Sequence, residues 1–271
     1  MPSKRERYRS KLDGLMADGA DLESFLLRHS GLPGRRADLE LAGALADRLA
    51  KSPPDEAIWD LLCRWTALDA VQAPTNSKRE YLPFCAAQAL GACHHRAAPE
   101  RRRRIVACLQ AAARDPRWRM REAACFGFQR IGEDDPSQLV RMFRDRLAGA
   151  TLLDRRAMLV SLAHPPLLEP EGDAVELALE LSDQGLRELS ALDPEQLKSE
   201  EIRVFRKCLD FVPSVVAAAD PERGFAWLRR WAGHEGLLYK KVVVANLRKA
   251  RLAKHHPDEC EGVVAVLSWG E

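Results

Sequence analysis

The stretch LQAAARDPRWRMREAACFGFQRIG, residues 109–132, decides how the rest of the chain is read. Leu109 to Ala113 close one helix, Asp115-Pro116 restarts the chain, and Arg117 to Ile131 form a second helix that Gly132 stops. Asp115 is placed to cap, and Pro116 fits the first helical position, where no amide donor is needed. At about 100° per residue, Met120, Ala123, Ala124, Gly127, Phe128 and Ile131 share one face, and the small residues there admit a second helix at close range. Neighbouring segments echo the unit. Asp-Pro recurs at Asp115, Asp135, Asp193 and Asp220. Aligning Ala86-Ala87 with Ala123-Ala124 gives a shift of 37 residues, while Arg121 to Arg156 and Arg206 to Lys241 each give 35. Periods of about 35–40 residues with two helices apiece predict an α-solenoid. The step from Arg156 to Arg206 is 50, which predicts an insertion or irregular repeat around 164–200.

Composition agrees. Only four isoleucines and three threonines occur among 271 residues, so strand-favouring side chains are under-used and an all-α protein is expected. Further helices are expected over 4–17, 22–29 and 39–50, with Ser52-Pro53 restarting the chain before a helix that sets Trp59, Leu62 and Thr66 on one face. Ser77 to Glu80 has capping-box spacing ahead of a helix over 81–93, which Pro83 is expected to delay or kink. Beyond it, helices are expected over 99–114, 135–148, 151–163, 173–182, 184–190, 194–198 and 199–211. The remaining ones fall over 213–219, 221–231, 236–254 and 257–268.

Seven scattered cysteines without a Cys-x-x-Cys pair suit buried reduced thiols in a cytoplasmic protein. The basic start is not followed by an apolar core, and no run reaches the ~18 apolar residues of a membrane span. Net charge is +2, but residues 94–156 carry 15 basic against 8 acidic, residues 169–201 carry 2 against 11, and residues 203–256 carry 12 against 4. An acidic block flanked by basic ones would repel nucleic acid wherever it lines a groove, which ranks a protein partner above a nucleic acid.

Leu-x5-Asp-Pro-x3-Met-Arg-Glu-Ala-Ala (109–124) resembles the HEAT repeat, in which a turn Asp precedes a hydrophobic-Arg pair and an Ala-rich inner helix. The chain is also similar to a group of stand-alone bacterial HEAT-repeat proteins, through HSGLPGRRADLELA (29–42), DPRWRMREAA (115–124), LLDRRAMLVSL (152–162), HPPLL (164–168) and NLRKARLAK (246–254). The resemblance covers nearly the whole chain. It implies one HEAT-like domain over 1–271, a right-handed superhelix of six or seven antiparallel helix pairs, roughly 60 Å long. It also implies a non-enzymatic scaffold that binds a protein through its concave surface. One HEAT-like branch consists of DNA alkylation-repair glycosylases, so nucleic-acid binding is the alternative. The acidic and aromatic residues such a glycosylase needs have no motif match here.

Candidate sites are set by charge. Asp115 and Arg121 form a structural pair tying the turn to its helix. At helical spacing, Lys240, Lys241, Arg248, Arg251 and Lys254 fall within an arc of roughly 140°, opposite Leu238, Tyr239, Val242, Ala245 and Leu252. Such a face could meet phosphates or a binding partner, or be solvated only. Arg101 to Arg104 point in four directions and form no ridge. Arg35 and Arg36, in the Pro-Gly turn, are candidates for an anion. Cys93-His94-His95 and His255-His256-x3-Cys260 do not match a zinc spacing, so no metal is expected. No nucleotide or hydrolase fingerprint occurs, so no cofactor and no catalytic residue is assigned. The tryptophans sit mostly at core-like positions, although one on a concave face could stack on a base.

Overall fold

The computed structural model describes residues 3–193 and 195–267. Among them all regular structure is helical, as expected, and no helix is long and apolar enough to cross a membrane. The chain packs as two compact units, Met1–Asp134 and Asp135–Glu271.

Unit 1 holds α1 (Lys4–Leu15), α2 (Gly19–His29), α3 (Leu39–Lys51), α4 (Glu56–Thr66), α5 (Tyr81–Cys93), α6 (Pro99–Ala113) and α7 (Trp118–Asp134). Helix α1 packs on α3, α3 on α5, and α5 on α7, while α2 and α4 pack against α5 and α6 against α7. Alternate helices therefore succeed one another in one layer, with the others behind them. At its centre lies α5, buried at every position from Tyr81 to Cys93. Its sequence, YLPFCAAQALGAC, contains no charge, and a helix apolar all round has to be enclosed. Full burial of Leu82 or Leu90 contributes about 1.5–3 kcal/mol each. Pro83 neither delays nor breaks this helix, because it falls in the first turn, where its missing amide has no helical acceptor to lose.

The expected close approach is realised between α5 and α7. A Cβ on Gly91 would lie 2.2 Å from the Gly127 carbonyl oxygen and 2.7 Å from the Gly127 Cα, so the two backbones touch. Met120, Ala123, Ala124, Gly127, Phe128 and Ile131 are all buried, and Ala86-Ala87, the matching pair one period earlier, faces the same interior.

Three boundaries differ from expectation. Ser52 ends α3, and it is Asp55, accepting from the Ile58 amide at 2.9 Å, that caps α4. Asp115 accepts from the Arg117 amide at 2.7 Å, so Asp-Pro forms a turn and α7 starts only at Trp118. Gly132 does not stop α7. It is buried, and packing holds it helical against its own propensity.

Unit 2 holds α8 (Pro136–Arg144), α9 (Leu152–Leu162), α10 (Asp173–Ser190), α11 (Glu200–Leu209), α12 (Val212–Ala219), α13 (Pro221–Ala232), α14 (Leu237–Leu247), α15 (Ala250–Ala253) and α16 (Pro257–Val264). Here α9 packs on α10 and α11, α10 on α8 and α12, α12 on α13, and α13 on α14 and α16. Asp135 and Asp220 cap α8 and α13 through the Gln138 and Arg223 amides, each followed by proline at the first helical position. Asp193 accepts from the Gln196 amide ahead of a short 3-10 turn, Gln196–Lys198, where a helix over 194–198 was expected. Pro194 lies outside the described residues, as does Ser268, the expected end of the last helix. The two helices expected over 173–190 are one. Gly185 does not interrupt α10 but gives room to the Phe205 ring, 2.7 Å from where its Cβ would stand.

Gly91→Ala is therefore expected to cost at least about 1–3 kcal/mol in urea unfolding, because backbone rather than a movable side chain blocks the added methyl. Gly14→Ala in α1, with nothing within 4 Å, is the control and should gain up to about 1 kcal/mol. A second expectation concerns His94, just past α5, whose Nδ1 is buried without a hydrogen bond. Burial, helped by Arg102 and His95, pushes its imidazole down to about 4. The unfolded chain, near the ordinary value of about 6.5, then binds the proton first. His94 should thus subtract stability progressively as pH falls from about 6.5 to about 4, and His94→Leu should lose less melting temperature over that window than the wild type.

Candidate functional site

Arginines alternate at the start of α7, at Arg117, Arg119 and Arg121, with Trp118 and Met120 between them. A step of two residues turns a helix by about 200°, so Arg119 and Arg121 point away from each other, while Arg117 precedes the helix. Each is nevertheless buried, at 3%, 3% and 7% exposure, and each binds backbone carbonyls. Arg117 forms a two-point pair with Asp115 (Nε to Oδ1 2.9 Å, Nη2 to Oδ2 2.6 Å) and donates to the carbonyls of Leu68, Asp69 and Ala73. Arg121 donates to the Asp115 and Pro116 carbonyls, both at 2.9 Å. The expected tie between turn and helix is present, but the chelating partner of the Asp115 carboxylate is Arg117.

Arg119 organises the site. Its Nη1 pairs with Glu80 Oε2 at 3.0 Å, and its Nη2 donates to Gly34 O at 2.7 Å and to Asn76 Oδ1 at 3.2 Å. Glu80 is wholly buried. The same Glu80 oxygen accepts from the Asn76 amide at 2.7 Å, and Asn76 Oδ1 accepts from the Gly34 amide at 3.0 Å. Asn76 has φ of 66°, a left-handed backbone that asparagine tolerates better than most residues. Both edges of Gly34 are thereby held, and with them the turn that carries Arg35 and Arg36.

That turn borders a groove of about 290 Å³, floored and walled by Ala37, Leu39, Phe84, Trp118 and Phe126, with Arg35, Arg36, Arg119 and Glu122 around it. Phe84 and Phe126 meet edge to face at 6.2 Å. Leu39 and Trp118 are 50% and 47% exposed and line the same groove, so their apolar surface is contiguous there. The Arg119 guanidinium stands 4.4 Å from the Trp118 ring, a cation–π contact that steadies the indole. With Arg119 neutralised by Glu80, the groove's positive charge comes from Arg35 and Arg36. Both are exposed, and no acidic group among the described residues pairs with either.

The anion candidates Arg35 and Arg36 are thus brought to one site. The basic arc expected over 236–254 is not. Helix α14 ends at Leu247, Lys249 is extended (ψ 133°), and α15 starts at Ala250, so helical phase does not carry across. Lys240 is buried, Lys241 and Arg248 are exposed, Arg251 donates to Ser214 Oγ at 3.3 Å, and Lys254 lies past α15. Just before the break, Asn246 is buried in α14, and its amide group binds the Leu209 and Val242 carbonyls and the Ser214 amide. Arg101 to Arg104 do scatter: Arg101 pairs with Glu56 and lies over Trp59, Arg102 binds the His95 and Ala97 carbonyls, and Arg103 pairs with Glu100. Trp59, Trp65, Trp227 and Trp231 are core residues. Among the described residues no His, Cys, Asp and Glu side chains gather as a metal site.

Sequence reasoning missed Trp118, Arg119 and Glu80. A signal for Trp118 existed, since it lies roughly 150° from the centre of the buried face of α7 at 100° per residue. Glu80 and Arg119 carried none, because pairing across 39 residues has no local signature.

Arg119→Met, which leaves Glu80 buried without its partner, is expected to cost about 3–5 kcal/mol in urea unfolding. Glu80→Leu with Arg119→Met should cost clearly less than the two single changes added together.

No protein-family model, curated protein or solved structure matches this chain, so the groove has to be understood from its own residues.

Proposed function

We propose that the chain is a non-enzymatic binding module of HEAT-like α-solenoid architecture, and that the groove of unit 1 is where it takes a protein partner. Supporting the architecture are the repeated turn-helix units and the layering of alternate helices in unit 1. The observation that carries the binding role is Trp118 standing half exposed beside two guanidiniums on a pinned turn, neither with an acidic partner among the described residues. Tryptophan and arginine dominate the energetics of protein interfaces, particularly around a pocket. At about 290 Å³ the groove lies just under the usual range for small-molecule sites and suits one large side chain of a partner. Its lining offers Glu122 as the one carboxylate and no histidine, cysteine or serine, which supports binding over catalysis.

The test is affinity capture with wild type against Trp118→Ala/Arg36→Glu, run beside a titration of fluorescein-labelled 20-base-pair DNA at two salt concentrations. A protein retained by the wild type and lost from the variant is the expected outcome. Equal capture by both would remove the groove from the account. Salt-steep DNA binding that Lys241→Ala/Arg248→Ala/Arg251→Ala flattens, by about 0.9 log units for each phosphate no longer neutralised, would put nucleic acid ahead of protein.

A further inference from the structure

We infer that the groove receives a linear acidic peptide, one large apolar side chain against Trp118 and adjacent carboxylates on Arg35 and Arg36. This rests on the groove being a protein-binding site, and specifies what the partner presents to it.

Charge selects the sign of the ligand. Arg119 is committed to Glu80, Gly34 and Asn76, whereas Arg35 and Arg36 are exposed and without acidic partners among the described residues. Two neighbouring guanidiniums bind carboxylates through paired N–H donors, a geometry lysine cannot supply. The wall selects the anchor. Leu39, Phe84, Trp118 and Phe126 present carbon surface, and covering it with an aliphatic or aromatic side chain removes that surface from water without stranding a polar atom.

The same features weigh against a nucleobase. A base stacked on Trp118 would find no hydrogen-bonding group in Leu39, Phe84 or Phe126, so that wall cannot read its edge. The turn contributes a further property. Both polar atoms of the Gly34 backbone are held, at 3.0 Å by Asn76 and at 2.7 Å by Arg119, so the backbone bearing the two arginines is ordered before the ligand arrives. Less ordering entropy then remains to be lost on binding.

Four fluorescein-labelled probes test this by anisotropy on the full chain: a ten-residue peptide with Leu-Phe beside three Asp, a copy with Lys for Asp, a copy with Ser for Leu-Phe, and a ten-nucleotide oligo-dT. The acidic apolar peptide should bind at least about ten-fold tighter than each of the other three. Arg35→Glu/Arg36→Glu should invert the preference toward the Lys peptide, and Trp118→Ala should weaken the acidic peptide at least about ten-fold. These side chains are exposed or half exposed, so melting temperature and circular dichroism should stay at wild-type values and a folding defect would be visible. The inference is overturned if oligo-dT or the Lys peptide binds as tightly, if the variants change nothing, or if the acidic peptide fails to bind below about 1 mM. A Trp118-dependent Lys peptide would remove only the acidic specificity and leave a peptide groove. Absence of every peptide together with unchanged protein capture by the Trp118 variant would remove both.

Discussion

A buried guanidinium needs acceptors, and both Nη atoms of Arg119 find them in two stretches far apart in sequence, at Gly34 and at Asn76 with Glu80. Pairs of this kind add little net stability compared with apolar substitutes, since both charges must be stripped of water. What the pair supplies is position. Once Glu80 and Arg119 are enclosed, the turn at Gly34 and the left-handed Asn76 have one arrangement that satisfies every named partner. Arg117 performs a similar task for the connection running from Leu68 to Ala73. Two polar connections of unit 1 are therefore held from adjoining positions at the start of a single helix.

The apolar interior makes that control rigid. With α5 buried throughout and its backbone in contact with α7 at Gly91 and Gly127, the helix that carries the arginines has a fixed separation from the one that carries the core. Unit 2 uses other means. Gly224 brings α13 onto the backbone of α12 at Ala217, and the buried Asn246 joins α14 to the chain at Leu209 and Ser214. Trp231, also buried, donates to Asp183 of α10 at 2.7 Å. Both units thus combine glycine-permitted helix contact with a few committed polar side chains.

Much of this was legible in the sequence where the cause was local. The buried face of α7, the uncharged α5, and the caps at Asp135 and Asp220 all arise from spacing within one turn of helix. Arg35 and Arg36 were legible as a candidate pair because a Pro-Gly turn exposes the side chains next to it. The failures share a physical origin. The basic arc over 236–254 assumed a single helical phase, and the extended Lys249 between α14 and α15 removes it. Gly132 is a helix stop by local propensity, yet burial against neighbouring side chains outweighs its backbone freedom. Glu80 and Arg119 were invisible because a charge pair buried at long range resembles two ordinary surface charges when read along the chain.

Arg117, Trp118, Arg119, Met120 and Arg121 divide three duties among five consecutive positions, serving the loops, the solvent-facing groove and the core in turn. One inserted or deleted residue would rotate every later side chain by about 100° and assign each to the wrong neighbour. Evolution can therefore rewrite the groove by exchange, replacing Trp118 or Leu39 in place, but not by changing the length of this segment. Tolerance to substitution and intolerance to insertion coexist within a single turn of α7.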